Sequence, residues 1–286
     1  MRTSSAARGR ETPGRFLASA ASYALMGLFA LMTVYPIFWL FINSFKTKTE
    51  YLMDKVSLPL QPTLFNFQQA WVLGDFDKLF ANSLIYTFGA TFGTVILSLM
   101  AGFAFASIKS RATIPIYNGF LVGILLTLQS IMIPLFILMS SLGLYNTRLG
   151  ILIPYIGIGL PMGVYLGTEY IRSIPMALVE SARIDGAGYL RIFRAIILPM
   201  TASVAVTLSI MNVTANWNEF MLINVLASKT EIKSLPLGIF RFSGPRSSDY
   251  GTQFAALTIG ILPMLLFYIA FQKRIAQGVA AGAVKG

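Results

Sequence analysis

The chain has 286 residues, is 56% hydrophobic and only 12% charged, and is formally +11 at neutral pH, whereas an ordinary soluble domain is about 25% charged. It contains no cysteine and no histidine, which excludes disulfides and thiolate metal sites and removes the commonest general base and metal ligand. The positive charge is not the mark of a nucleic-acid binder, because the basic residues sit in short segments between long apolar runs, the pattern of membrane topology.

Residues 1–16 are polar and carry Arg2, Arg8, Arg10 and Arg15. The apolar run that follows, 17–42, exceeds the roughly 7–15 residues of a signal-peptide core and reads as an uncleaved first span. Further uncharged runs cover 82–108, 114–142, 149–168, 201–218 and 254–271, the fifth continuing past Glu219 to 226. Crossing a bilayer as a helix takes about 20 such residues. None of the runs alternates as a barrel strand would, and backbone in lipid must satisfy its own hydrogen bonds. The expectation is an all-α integral membrane protein with six transmembrane helices.

With the N-terminus inside, the inner segments hold 13 of the 22 Lys and Arg residues and the outer segments nine. That bias puts both termini in the cytoplasm. The organisation expected is a cytoplasmic segment 1–16, a membrane domain 17–275 and a cytoplasmic tail 276–286. Outer loops span about 46–80 and 228–252, both rich in turn signals. Aromatics of the first, such as Phe65, Phe67, Trp71 and Phe76, suit the membrane interface or a docking surface for an outer partner.

The segment 172–199 is far longer than a turn and strongly patterned. Ser173 fits a helix N-cap, Pro175 the first turn and Gly186 the C-terminal stop. Leu178, Val179 and Ala182 make an apolar face, with Glu180, Arg183 and Asp185 on the other sides. The spacing predicts a second helical stretch over 189–198, with Ile192, Phe193, Ile196 and Ile197 as its stripe and Pro199 as a kink. The pair fits either an amphipathic helix lying on headgroups or a protruding knob that docks into another protein. The acids on the first helix, Glu180 and Asp185 against Arg183 alone, and the sharp glycine stop favour the knob.

Glu180-Ser181-Ala182, then Gly186, then Ile196 and Leu198-Pro199, resembles the EAA motif of ABC importer permeases, with Ser181 where alanine is usual. The resemblance covers essentially the whole chain and extends to the carbohydrate branch, which includes the smaller maltose-importer permease. It is carried by Asn82-Ser83, Gly143-Leu144-Tyr145-Asn146-Thr147, Ile174-Pro175, Trp217-Asn218-Glu219-Phe220, Tyr250-Gly251-Thr252 and the ending Gly282-Ala283-Val284-Lys285-Gly286. It implies that Glu180, Ser181, Ala182, Arg183, Asp185 and Gly186 form a coupling helix gripped by a cytoplasmic ATPase. It further implies two permeases, the second a non-identical paralogue, two ATPase subunits and an extracytoplasmic solute-binding protein. The tail, kept flexible by its glycines, would reach the ATPase pair through Lys285 and Gly286. ATP and Mg would belong to the partner subunits, since this chain has no GxxxxGK[ST] loop and offers neither a catalytic group, a cofactor site nor a metal site.

The fifth run is unusually polar, with Asn212, Thr214, Asn216, Asn218 and Glu219 beside Trp217. At about 1.5 Å per residue, Asn212 falls roughly 17 Å from the start of the run and Glu219 roughly 27 Å, near the outer boundary. Asn212, Asn216 and Glu219 share one helical face. That face, with Gln129 of the third run, either lines a translocation path or holds helices together. Pro36, Pro134, Pro154, Pro161 and Pro263 permit kinks within or near spans. An ion-driven secondary transporter is the alternative, with only Glu219 as a buried ionisable candidate. An intramembrane enzyme lacks the residues, and a membrane anchor without a transport role is a further alternative.

Overall fold

A computed structural model of the chain describes residues 13–108, 110–239, 242 and 249–283. Among these residues all regular structure is helical. In chain order the elements are α1 (Pro13–Asn43), α2 (Lys48–Met53), α3 (Phe65–Leu73), α4 (Phe76–Ser107), α5 (Thr113–Ile124), α6 (Leu128–Ser141) and α7 (Leu149–Arg172). There follow α8 (Ala177–Ile184), α9 (Tyr189–Ile192), a π-helical turn (Phe193–Ile197), α10 (Leu198–Met200), α11 (Ala202–Asn218), α12 (Met221–Leu226), α13 (Leu235–Ile239) and α14 (Tyr250–Ala283).

Four described helices are long and apolar enough to cross a bilayer singly: Ser19–Asn43, Phe76–Ser107, Leu149–Arg172 and Tyr250–Arg274. Two bent pairs reach that length only together: α5 with α6, bent by 111°, and Tyr189–Met200 with α11, bent by 77°. The first bend splits the run 114–142. Leu125 and Leu126 close α5, Thr127 turns extended (ψ 147), and its hydroxyl accepts the Ser130 N–H to start a new helix. The second bend follows Pro199, which has no N–H to give and crowds the turn before it. The helix widens there, with the Leu198 N–H reaching back to Phe193, and breaks at Thr201.

Span edges also differ from the apolar runs. α4 starts at Phe76, six residues before its run, and α7 continues to Arg172. α14 stays helical to Ala283, well into the tail expected from 276. Val284, Lys285 and Gly286, and with them the expected tail contact, lie outside the described residues.

α4 is the central helix, packed along α7 and α11. The backbones of α4 and α7 touch at Gly102. A Cβ there would fall 2.8 Å from the Thr168 nitrogen and 2.9 Å from the Gly167 carbonyl carbon, so only hydrogen fits. α1 stands apart. Tyr23, Met32 and Phe38 are all more than half exposed, and the helix is anchored near its last turns. There Trp39 stacks edge-on against Phe254, 5.2 Å between centroids, and donates its Nε1–H to the Lys55 carbonyl.

Candidate functional site

The chain leaves α7 at Ser173, the residue expected to open the next helix. Ser173 closes α7 rather than opening α8: its N–H and its hydroxyl both return to the Tyr170 carbonyl, at 3.1 and 2.6 Å. Pro175 explains the shift, because a proline disfavours helical backbone at the residue before it. Helix resumes only on the carbonyls of Pro175 and Met176, which accept the N–H groups of Leu178 and Val179. α8 is therefore eight residues long, roughly two turns rather than three.

Its far end is closed firmly. Gly186 sits at φ +78, where an L side chain is strained. The Gly186 N–H donates to the Arg183 carbonyl at 3.0 Å, and the Ala187 N–H to the Ala182 carbonyl at 2.9 Å. That pair of bonds is a Schellman cap, which stops the helix and fixes the exit angle. Val179 is buried at 3% exposure and Ala182 is half-buried, so they form the inner face. Leu178, expected beside them, is instead 41% exposed. Glu180, Ser181, Arg183, Asp185 and Gly186 are exposed, and Ile184 is 87% exposed. Arg183 lies over the Tyr189 ring, 5.1 Å from its centroid, a contact that ties α8 to α9.

Beneath α8, Ile192, Phe193 and Ile197 are buried, as the spacing predicts, and pack with Val179, Leu99, Phe103 and Ile171. A cavity of about 520 Å³ opens there, lined by Ile108, Ile171, Ile174, Val179, Glu180 and Arg183 among others. The knob thus rests on the ends of α4 and α7, and no other described residue covers its outward face.

The polar residues of α11 divide. Asn212 is 9% exposed, donates to the Leu208 carbonyl of its own helix, and packs on α7 so closely that a Cβ on Gly159 would meet its Oδ1 at 2.5 Å. Trp217 is buried, edge-on to Phe80 of α4 at 6.0 Å. Asn216 is half-buried with its amide nitrogen unpaired, and Asn218 is exposed, donating to the Thr214 carbonyl. Glu219 ends α11 and caps α12, accepting from the Leu222 N–H at 2.7 Å and from the Tyr155 hydroxyl at 2.6 Å. Gln129 is exposed in the first turn of α6.

The end of the molecule opposite the knob holds contacts that sequence reasoning missed. Asn146, at φ +61, accepts the N–H groups of Ser228 and Lys229 through its side chain. Asn82 donates to the carbonyls of Glu231 and Lys233, Ser83 accepts the Leu235 N–H, and Tyr86 donates to the Ile232 carbonyl. Asn146 follows Gly-Leu-Tyr between two apolar runs, a turn signal that could have found it. The partners lie 82 to 152 residues away, a separation no local pattern encodes.

Residues 95–281 match the family described as binding-protein-dependent transport system inner membrane component. The chain is 33% identical over 92% of its length to the multiple sugar-binding transport system permease protein MsmG of Streptococcus mutans, covering 96% of that protein. It is 31% identical over 93% of its length to the diacetylchitobiose uptake system permease protein NgcG of Streptomyces coelicolor, covering 89% of it. A solved chain from a bacterial ABC transporter that imports the acidic polysaccharide alginate superposes with a TM-score of 0.82, covering 92% of this chain and 98% of that one, at 23% identity, which shows a shared fold. The chain belongs to the binding-protein-dependent transport system inner membrane component family and is a multi-pass transport permease subunit of the inner membrane.

Proposed function

We propose that this chain is one of two non-identical permease subunits of an ATP-driven importer that moves a sugar or oligosaccharide delivered by an extracytoplasmic binding protein. Each bent pair counts as one span, giving six, with both termini and α8 on the cytoplasmic side. ATP and Mg are held by two separate ATPase subunits, and this chain contributes no catalytic group. The sugar assignment is supported by the relatives that handle multiple sugars and diacetylchitobiose. The Lys and Arg bias supports the orientation.

The observation that carries the coupling role is the outward face of α8. A helix of roughly two turns, stopped by the cap at Gly186, holds Leu178 and Ile184 in the open beside Glu180, Ser181 and Asp185. Apolar side chains exposed on a fixed, mixed-charge knob suit a protein groove better than anionic headgroups. ATP-driven closure of the ATPase pair drags that groove, and the knob hands the motion to α7 and, through Ile192 and Ile197, to the bent α9–α11 arm. Coupling requires only that the ATPases bind ATP more tightly in one membrane state. Asn216 and Asn218 carry the path-lining assignment, with Gln129 contributing from α6. Asn212, Trp217 and Glu219 hold that face in register.

The test is a Ser181→Cys chain in the reconstituted complex, exposed to a short bifunctional thiol reagent. Crosslinking to an ATPase subunit, with ATP-dependent uptake of radiolabelled maltotriose or diacetylchitobiose into proteoliposomes, is the expected result. Uptake that persists without any ATPase subunit would mean an ion-driven carrier and end the proposal.

A further inference from the structure

On its N-terminal side the knob is joined to the membrane bundle through the last turn of α7; on its C-terminal side it runs on through α9 and α10 into α11. Only residues 173–176 separate the last turn of α7 from α8. Three side chains of that turn reach two other helices. The Tyr117 hydroxyl of α5 donates to Glu169 Oε1 at 3.1 Å, and Arg172 donates to the same oxygen at 2.6 Å. The Arg172 guanidinium also lies over the Tyr117 ring, 5.1 Å from its centroid. From the other side, the Ser203 hydroxyl, in the first turn of α11, donates to the Tyr170 hydroxyl at 2.7 Å. α5 and α11 are the very helices that begin or continue the two bent spans.

We infer that Glu169 and Tyr170 are positioning residues that hitch both bent arms to the coupling helix, so that a movement of α8 pulls α5 and α11 together. This reading rests on the ATPase-coupling role of α8. The chemistry suits a hitch. Tyr117 is 8% exposed and meets a carboxylate already paired with a guanidinium, so its bond is charge-assisted and strong for its size. The Tyr170–Ser203 bond joins neutral groups. The two arms leave adjacent residues of one turn, whose side chains point about 100° apart around the helix, so they reach opposite neighbours. Without these contacts α5 has only apolar packing on α7, which permits sliding.

The absence of cysteine from the chain makes the test direct. Spin labels are placed pairwise on a fixed reference, Gln272→Cys, and on Asn118→Cys of α5, Ala215→Cys of α11 or Ser181→Cys of α8, in the full complex with its ATPases and second permease. Pulsed dipolar distances are taken without nucleotide and with ATP trapped by vanadate. In the otherwise unsubstituted chain all three pairs are expected to shift. Tyr117→Phe and Glu169→Leu abolish the shift at Asn118 and leave those at Ser181 and Ala215. Ser203→Ala reduces the shift at Ala215, the remainder being carried through α9 and α10, and leaves the other two unchanged. Glu169→Gln keeps an acceptor for Tyr117 and keeps the Asn118 shift. This selectivity separates a hitch from general loosening. Full shifts at Asn118 and Ala215 in every variant overturn the inference, as does loss at both positions from any one substitution. A Ser181 label that does not move in the unsubstituted complex overturns the coupling role itself, and the hitch with it.

Discussion

Asn146 shows how much a single side chain holds at the end away from the knob. Its backbone is left-handed, which asparagine tolerates better than other side-chain-bearing residues. In that conformation its N–H reaches the Leu226 carbonyl while its Oδ1 accepts from Ser228 and Lys229 at 3.0 and 2.9 Å. Replacing it with alanine leaves two N–H groups without their acceptor and keeps a Cβ at positive φ without the side-chain amide that makes that conformation tolerable. The expected cost is about 1–3 kcal/mol. Asn146→Gly removes the acceptor but relieves the strain and should fall between the two. Thermal melts of the detergent-purified complex check this: the order of melting temperature is the natural chain, then Asn146→Gly, then Asn146→Ala. Equal melting for all three would mean that the 226–229 segment is held by something else.

At the level of elements, the outer segment after α1 carries its own pH signature. Asp54 ends α2 and its carboxylate accepts the N–H groups of Val56 and Ser57 at 2.8 and 3.1 Å. Those bonds lower its pKa from 3.8 to about 2. A carboxylate with a depressed pKa stabilises the fold fully above its unfolded value and loses that contribution as pH falls through the folded one. Amide hydrogen exchange at Val56 and Ser57 should therefore be slow, after correction for intrinsic rates, down to pH 4 and accelerate between pH 4 and 2. Asp54→Asn should show no such step. The α4–α7 seam makes a second demand. Gly102→Leu drives a side chain into the Thr168 backbone and should cost about 1–3 kcal/mol or prevent assembly, read as loss of monodisperse complex on size exclusion. The seam also marks where sequence reading stops. Long apolar runs give away helices, and Pro199 gives away the second bend. The 111° bend does not announce itself, because Thr127 is one hydroxyl in an apolar stretch with no glycine or proline beside it. Ser173 misleads for the opposite reason: a serine before a proline looks like a cap, but Pro175 lets α7 finish on it.

Over the whole molecule, legibility follows distance along the chain. The stop at Gly186 and the stripe Ile192, Phe193 and Ile197 are readable because both are local to residues 186–197, whereas the cap is not, since Ser173 closes α7 instead. The contacts that bind the last turn of α7 to α5 and α11 are not readable either, since Tyr117 and Glu169 are 52 residues apart and Tyr170 and Ser203 are 33. What the knob can do depends on its being one body with the arm that runs from α9 into α11, and Gly186 decides that. Its φ of +78 is beyond reach of proline, whose ring holds φ near −65°. Proline would also delete the N–H that Gly186 gives to Arg183 and would disturb the Ala187 bond behind it. The Schellman cap is lost, the last turn of α8 frays, and the exit toward α9 loses its angle. Val179 and the core beneath remain, so the complex should still assemble. Gly186→Pro is therefore expected to leave basal ATP hydrolysis within about twofold, a difference of under 0.5 kcal/mol in the barrier. Solute moved per ATP should fall roughly tenfold or more, which lies within the usual range of coupling energies. Both are measured on one proteoliposome preparation, with radiolabelled maltotriose or diacetylchitobiose as solute and phosphate release as the clock. Uptake and hydrolysis falling in strict proportion would instead mean that Gly186 matters for assembly alone, and that a pliable knob transmits force as well as a stiff one.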